Sequence, residues 1–274
     1  MPDRRISGWW NRRWISGWWN RRWISGWWNR PQTTTEREAR AVSEVVSFVL
    51  VFALVISTVA FVYALGYPAL VTVQDAERVN NAERAMTTLA DTVSEVTVRG
   101  APSRATEIKL SESSLSFGPP MTVNVSDENG TLLAQSTFRP VVYESAEGTR
   151  VSYAAGGVFR EQSDGVVVVR DPDLVVSGSE TVILVPETTP ATKTDAIVGQ
   201  TGVLVRLERG NTTTVTTDGN VTVEVTSSHP DTWYEYLDSQ AGATCSPPTG
   251  ETVTCTFDAN RASVTVVDVA VELE

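Results

Sequence analysis

The sequence predicts an α+β protein, in which a long N-terminal transmembrane helix is followed by an extracellular, antiparallel β-rich domain. Two observations lead to this prediction. Val45–Leu65 is an uninterrupted apolar run, whereas apolar and polar residues alternate from residue 103 onward. Alternation with a period of two is typical of half-buried strands. We therefore divide the chain into residues 1–41, 42–99 and 100–274.

A tandem repeat fills most of the first segment. Residues 12–20 and 21–29 both read RRWISGWWN, and residues 4–11 are the same unit without one Trp. A solenoid repeat needs about 20 residues or more, and a nine-residue unit turns successive copies to opposite sides of a helix. One interpretation is a Trp/Arg segment that lies on anionic lipid. The other is a recent duplication, or a start codon placed too early.

The charges differ on the two sides of the apolar run. Residues 1–41 carry nine Arg and three acids, a net +6, whereas residues 42–274 carry 13 bases and 30 acids, a net −17. Nucleic-acid binding requires clustered positive charge, so this acidic, Lys-poor chain is not expected to have a nucleic acid as partner. The same composition is typical of halophilic proteins.

The apolar run is long enough to cross a membrane. Val45–Leu65 has 21 residues, and a helix of that length spans about 30 Å, the hydrocarbon thickness of a bilayer. Nine Arg precede the run, and Asp75 and Glu77 follow it. The positive-inside rule then places the N-terminus in the cytoplasm and the C-terminal domain outside the cell. We expect a single-pass protein of the cell membrane, with membrane lipid as a partner.

The helix is predicted to continue beyond the membrane as an amphipathic segment. Apolar residues recur there at alternating spacings of three and four, which forms an a/d seam. The seam consists of Val79, Ala82, Met86, Leu89, Val93 and Val96. In one interpretation it packs on the protein's own domain, and in the other it is an assembly helix that bundles with copies of itself. The two interpretations are compatible.

The junction before the apolar run resembles a known family. Arg40–Glu44 and the following VVSFVL are similar to the start of archaeal type IV pilins and pilin-like proteins. The resemblance implies that a prepilin peptidase cuts between Ala41 and Val42, and that the freed helices pack in a filament core. Glu44 stands where the family has Pro. Bacterial pilins use a Glu at the fifth mature position to neutralise a neighbour's N-terminal amine, and Glu44 would be the third. The helix dipole also explains an acid in the first helical turn.

The β-rich segment carries three local hairpin signals. Asn129-Gly130, Asp164-Gly165 and Asp218-Gly219 each separate two alternating runs. Val166–Val169 and Val182–Val185 are predicted as strands that are buried on both faces. We expect a sandwich or a layered sheet of ten or more strands.

The sequence of this segment also bears on a bulge, a helix and a possible domain division. Apolar positions slip by one residue between Val264–Val266 and Val267–Leu273, which indicates a bulge. A helix is expected only at residues 232–240. A division into two domains near Pro186–Asp195 is left open.

Two features favour an oxidising exterior. Cys245 and Cys255 bracket nine residues and are predicted to form a disulfide that stabilises the fold by about 2–3 kcal/mol. Their spacing does not suit zinc. Four Asn-X-Ser/Thr sequons predict glycosylation. These are Asn124, Asn129, Asn211 and Asn220.

No catalytic, cofactor or metal motif is present in the sequence. His229 is the one His, and no nucleophile-elbow motif accompanies it. Asp171 and Asp173 lack the ligand spacing of a calcium loop. Phosphate-loop and dinucleotide fingerprints are missing too. We therefore expect that the protein is not an enzyme and uses no cofactor.

These patterns favour a membrane-anchored, pilin-like surface protein that acts as a structural protein or a minor filament subunit. Such a protein would form homo- or hetero-oligomers through its N-terminal helix. The alternative is a signal-anchored extracellular β-domain that works as a binding module without filament assembly. A membrane-tethered hydrolase that uses His229 is a third and weaker hypothesis.

Overall fold

The computed structural model describes residues 34–163, 165–176, 180–191 and 194–274, with side chains from residue 43 onward except 68–72, 175 and 176. The Trp/Arg repeat lies outside the described residues. Two compact units make up the chain, Met1–Ala64 and Leu65–Glu274. The second unit contains the amphipathic part of the predicted helix together with all the strands.

One helix, α1, spans Thr34–Thr97. The predicted membrane segment and its amphipathic continuation are thus parts of the same helix. The predicted cleavage residues Arg40, Ala41 and Val42 belong to α1, and only their backbone is described. After α1, Gly100 adopts a φ of +73° and Ala101 N–H donates to the Glu95 carbonyl. A left-handed Gly with such a hydrogen bond is a common way to end a helix.

Sixteen strands and one short helix follow α1 in the described part of the chain. The strands are β1 Ser103–Lys109, β2 Ser113–Phe117, β3 Met121–Asp127, β4 Leu132–Phe138, β5 Val141–Ser145, β6 Arg150–Ala154, β7 Gly157–Gln162, β8 Gly165–Arg170, β9 Val175–Val176, β10 Glu180–Pro190, β11 Ala196–Gly199, β12 Gly202–Asp218, β13 Val221–Thr226, β14 Ala243–Thr249, β15 Thr252–Phe257 and β16 Arg261–Leu273. Helix α2 spans Pro230–Asp238, close to the helix that the sequence predicts at residues 232–240.

The strands form three sheets. Sheet A has the order β1-β12-β16-β10-β9, sheet B the order β11-β2-β5-β6-β7-β8, and sheet C the order β14-β15-β13-β3-β4. The α+β prediction is confirmed. Pairing is antiparallel except between β10 and β16, which run parallel from the Glu180–Arg261 pair to the Pro190–Val271 pair. Because β10 pairs along its whole length, the chain is not divided near Pro186–Asp195.

Two of the three predicted hairpins form, and the third does not. Asn129-Gly130 joins β3 to β4, and β7 pairs with β8 around position 164, which lies outside the described residues. Asp218-Gly219 instead leads from β12 in sheet A to β13 in sheet C. The prediction of a hairpin at this turn is wrong, because β12 and β13 each find their partners elsewhere in the chain.

The two valine runs are not buried on both faces. Val167 in β8 is 48% exposed and Val182 in β10 is 44% exposed. Strand β8 is the last strand of sheet B, and β10 alternates between buried and exposed positions in its first half. The predicted two-sided burial is therefore wrong for both strands.

Two apolar clusters form the core of the second unit. The first lies among α1, sheet A and the inner face of sheet B, and the second lies among sheet C, α2 and the first halves of β10 and β16. The a/d seam belongs to the first cluster, where Ala82, Met86, Leu89, Val93 and Val96 are at most 3% exposed and Val79 is half-buried. The seam therefore packs on the protein's own sheets, as one of the two interpretations requires.

The slip of apolar positions in β16 corresponds to a change of core. Ala262 and Val264 face the second cluster, whereas Val267, Val269 and Leu273 face the first. The irregular pairing lies on the partner strand β12, between Arg209 and Thr212. The predicted irregularity is present, but the extra residue belongs to β12 rather than to β16.

Candidate functional site

The first candidate is the apolar part of α1. Ser43–Tyr67 is 25 residues long, and an 18-residue window within it has a mean hydropathy of 2.8 and contains no buried position. Phe48 and Val62 are 70% and 69% exposed. A helix of this length exceeds the about 30 Å of a bilayer's hydrocarbon core. Its surface is therefore suited to lipid rather than to water.

Polar groups within this segment are few. Glu44 is the single charged residue between Ser43 and Tyr67, and it lies at the N-terminal end. Thr58 donates its hydroxyl to the Val55 carbonyl at 2.8 Å, which satisfies the hydroxyl within the helix, as a lipid environment requires.

The predicted disulfide is present in the second unit. Cys245 on β14 and Cys255 on β15 are directly opposite each other and are bonded. Disulfides persist in oxidising compartments. Together with the apolar helix, this bond suggests that the protein is exported.

The four sequons have different environments. Asn129 lies in the exposed β3–β4 turn, and Asn211 is exposed within the irregular part of β12. Asn220 is half-buried, and its Oδ1 accepts from the Ala259 N–H. Asn124 donates its Nδ2 to Glu224 at 3.1 Å and its Oδ1 is buried. Glycosylation remains a prediction for all four, and Asn129 and Asn211 are the accessible ones.

The second candidate is an open cavity of about 420 Å³ on the outer face of sheet B, here called the inter-sheet groove. Its floor comes from β2, β5, β6 and β7, and its side comes from the start of β3 and from the β13–α2 connection. The groove is lined by Ser116, Phe117–Met121, Arg139, Pro140, Val142, Glu144, Arg150, Ser152, Ala154, Phe159, Glu161, Ser227–His229 and Trp233.

The strand register explains the floor of this groove. Ser116, Val142, Ser152 and Phe159 are direct cross-strand neighbours on β2, β5, β6 and β7. Side chains two residues apart on a strand share a face. The next row on the same face is therefore Glu144, Arg150 and Glu161, which are likewise direct neighbours.

This second row is a line of alternating charges. Arg150 Nε donates to Glu144 Oε2 at 3.0 Å, and the Glu161 carboxylate is hydrogen-bonded to the His229 ring at 2.5 Å. The hydrogen bond from His229 holds the pKa of the Glu161 carboxyl below its ordinary value, although partial burial acts in the opposite direction. Along this row each charge therefore has a neighbour of opposite sign.

Local structure explains why His229 reaches Glu161. His229 is the N-cap residue of α2 and makes no side-chain hydrogen bond to the helix, and Pro230 follows it at the start of the helix. The ring is therefore not used to cap α2. Its backbone N–H donates to Ser227 Oγ at 3.2 Å, which fixes the connection beside the groove.

Two buried aromatic rings, Phe159 of the floor and Trp233 of the side, form an apolar part of the groove. Phe159 and Trp233 are 5% and 3% exposed, with ring centroids 5.5 Å apart. Tyr236 lies edge-on to Trp233 at 6.0 Å. These rings belong to the second core cluster, so this side of the groove is a rigid wall.

Arg139 has a structural role at the end of the groove. Its Nη2 and Nε donate to the Phe117 and Gly118 carbonyls at 2.8 and 2.9 Å, and its Nη1 lies 3.3 Å from Asp195. The guanidinium also stacks over the Phe117 ring. Two of the nitrogens thus hold the end of β2 and the residue after it, and the third contacts Asp195 just before β11.

The residues considered for catalysis or metal binding, His229, Asp171 and Asp173, have separate contacts in the described part of the chain. His229 is hydrogen-bonded to a carboxylate, and none of its described hydrogen bonds joins the ring to a serine hydroxyl. Asp173 accepts from Arg170 at 3.1 Å, while Asp171 is exposed. The described residues contain no group of three or more His, Cys, Asp or Glu that could hold a metal ion.

Sequence reasoning missed the inter-sheet groove. Its charged residues, Glu144, Arg150 and Glu161, lie on three different strands, and His229 is 68 positions from Glu161. The local sequence does not set these charges apart, since Glu161, for example, lies between Arg160 and Gln162. The pairing of β5, β6 and β7 brings the charges into one row, and the sequence carries no motif for that row.

Comparisons with known proteins add one finding. A protein-family model matches residues 40–274, and its description is a family of unknown function, DUF7289. No curated protein and no solved structure matches the sequence. The family match begins at the predicted leader junction and leaves out the Trp/Arg repeat.

Proposed function

We propose that this chain, which belongs to the DUF7289 family of unknown function, is a membrane-anchored, pilin-like protein of the cell surface. The observation that carries the proposal is the exposed apolar helix Ser43–Tyr67, which precedes a compact β-rich unit. Exposed apolar surface costs about 25 cal/mol per Å² in water. Insertion into a bilayer removes this cost, since the segment has the required length.

The proposed orientation places the N-terminus in the cytoplasm and the β-rich unit outside. The net charge of +6 before residue 42 and of −17 after it supports this orientation through the positive-inside rule. The Cys245–Cys255 disulfide supports it independently, because disulfides are rare in a reducing cytosol.

We further propose that a prepilin peptidase removes the leader after Ala41. The Arg40–Glu44 junction resembles archaeal pilin-like proteins, and the family match begins at residue 40. The mature chain would begin at Val42 and would retain Trp233 as its single Trp. The repeat would then have no part in the mature protein's function.

The proposed role is structural, as a surface protein or a minor filament subunit rather than an enzyme or a nucleic-acid-binding protein. The surface for lipid and for other helices is the exposed segment Ser43–Tyr67, since the Val79–Val96 seam is covered by the protein's own sheets. Partners would be membrane lipid and helices of the same or related chains.

The N-terminal residue of the mature protein tests processing. Mass spectrometry of membrane-extracted protein should find Val42 at the N-terminus. Ala41→Arg should block the cut and leave the repeat on the chain. The matched control Thr35→Arg adds the same charge away from the junction and should be processed normally. An intact repeat on the unaltered mature chain would contradict the proposal.

A second candidate function is a signal-anchored binding module, and the inter-sheet groove is the observation that favours it. Cysteine crosslinking distinguishes the filament subunit from the binding module. Phe48→Cys and Val62→Cys place thiols on the exposed helix, whereas Leu89→Cys places one in the core. A filament subunit should give crosslinked dimers from the first two variants alone, because the single free thiol of each variant can join only two chains. Complete absence of crosslinks at helix positions spaced around Ser43–Tyr67 would favour the binding module.

A further inference from the structure

We propose that the inter-sheet groove binds a neutral, polyhydroxylated ligand, that is, a saccharide. The proposal names the ligand class for the binding-module function and does not depend on leader cleavage or on filament assembly. A cavity of about 420 Å³ falls within the range of about 300–1,000 Å³ that is typical of small-molecule sites. It therefore has room for one or two sugar rings.

The balance of charge disfavours an ionic ligand. Two carboxylates, Glu144 and Glu161, lie in the groove with two guanidiniums, Arg139 and Arg150. Arg139 is already engaged by two carbonyls and by Asp195. A phosphate or carboxylate ligand would thus meet no excess of free positive charge, and a cation would compete with Arg150 and His229 for the Glu144 and Glu161 carboxylates.

A purely apolar ligand fits no better. It would cover the row of Glu144, Arg150 and Glu161, whose side chains are 39%, 50% and 22% exposed. Removing charged groups from water without new hydrogen bonds is strongly unfavourable. The ligand must therefore replace the hydrogen bonds that water supplies to this row.

Hydroxyl groups meet that requirement, because each one both donates and accepts. The described contacts of Arg150 use Nε towards Glu144, which leaves its two Nη groups as donors for a ligand. Carboxylate oxygens in the same row supply acceptors. Ser152 is 6% exposed on the floor of the groove, and its hydroxyl can serve either way.

The side of the groove opposite the charged row suits the apolar face of a sugar ring. A pyranose ring presents C–H groups on one face, and such a face packs on aromatic and proline rings. The exposed Pro119 and Pro120 and the half-buried Pro140 supply most of this surface, and the edges of the largely buried Phe159 and Trp233 rings add to it. One side of the groove therefore offers paired donors and acceptors, and the other offers apolar contact, which is the combination that distinguishes a saccharide from an ion or a lipid chain.

Titration calorimetry of the full chain in lipid nanodiscs tests the proposal without sugar-based detergents. The probes are neutral trisaccharides (maltotriose, cellotriose and mannotriose), with glucuronic acid and glucose 6-phosphate as charged probes. Saturable binding of at least one neutral trisaccharide, tighter than either charged probe, is expected. Saturation with none of the three, or preference for a charged probe, would overturn the proposal.

A matched pair of arginines tests the location. Arg150→Gln should weaken binding at least tenfold, because it removes the free Nη donors. Arg104→Gln removes an arginine that also pairs with one glutamate, Glu95 at 2.6 Å, but lies on β1 outside the groove and should leave affinity unchanged. Equal loss in both variants would place the ligand elsewhere. Neither result depends on leader cleavage, so failure here is distinguishable from failure of the anchoring proposal.

Discussion

Helix α1 contains two apolar regions that differ in how their apolar residues are distributed. In Ser43–Tyr67 apolar side chains occupy the whole circumference and are exposed. In the seam from Ala82 to Val96 they occupy one stripe, and that stripe is covered by sheets A and B. Apolar distribution around the helix, rather than total hydrophobicity, thus separates a lipid-facing helix from one that packs on a globular unit.

The polar residues of the two regions support the same distinction. The covered region carries acids that pair with arginines of the sheets: Glu83 with Arg160 at 2.6 Å and Glu95 with Arg104 at 2.6 Å. The Glu83–Arg160 pair is partly buried, with side chains 18% and 28% exposed. The apolar region contains no comparable residues, since Glu44 is its single charged position. The apolar stripe therefore supplies the contact between α1 and the sheets, and the ion pairs help to orient the helix on them.

The largest expected effect comes from truncating one leucine in each region. Leu89→Ala should lower the free energy of unfolding by about 2–5 kcal/mol, because it leaves a cavity in a fully buried site. Leu54→Ala, at 66% exposure, should change it by less than about 0.5 kcal/mol. Denaturant titration of the full chain in detergent, followed by the β-sheet circular dichroism signal, measures both. Equal effects would abolish the distinction between the two regions.

A charge placed in Ser43–Tyr67 and one placed just after α1 together test the assignment to lipid. Val55→Arg lies at the middle of Ser43–Tyr67, where an arginine opposes membrane insertion by about 2.5–3.5 kcal/mol. A measurable fraction of the variant should leave the membrane pellet after carbonate extraction. Val98→Arg, at an even more exposed position just after α1 (64% against 48% for Val55), should stay in the pellet. Identical fractionation of the two variants would argue against a membrane-spanning segment.

Removal of the disulfide should affect the compact unit alone. Replacing both Cys245 and Cys255 with Ala should lower the free energy of unfolding by about 2–3 kcal/mol, because a short closed loop no longer restricts the unfolded chain. Fractionation with the membrane should not change. Reduction of the unaltered protein is the matched control and should give a loss of similar size. A shift in membrane fractionation would show that the two units are not independent in this respect.

Much of the architecture is predictable because it depends on local pattern. The apolar run, the seam, the Asn129-Gly130 hairpin and α2 all follow from periodicity or turn residues within about ten positions. Asp218-Gly219 has the same local signal and is not a hairpin. Strand β12 pairs with β16, more than 40 residues later, and this longer pairing with the core decides the outcome.

The groove could not be predicted for the same physical reason. It depends on the register that aligns Glu144 with Arg150 and Arg150 with Glu161, and on α2 bringing His229 to Glu161. A one-residue slip in any of these strands would turn the charges to the opposite face. The local sequence does not show which of these residues become neighbours.

The smallest expected effect is a pH-dependent change in stability at the C-terminal end of the Ala82–Val96 seam. The hydrogen bond from Arg104 holds the pKa of the Glu95 carboxyl below its ordinary value of 4.5. A carboxyl with a lowered pKa stabilises the folded state above its unfolded pKa, and this contribution disappears as the pH falls through the folded value. Arg104→Gln should therefore reduce stability slightly near pH 6 and should have no effect well below the ordinary value of 4.5. Carboxyl carbon NMR should show the Glu95 pKa rising towards the ordinary value in the variant, and an unchanged titration would mean that Arg104 does not hold this end of the helix to β1.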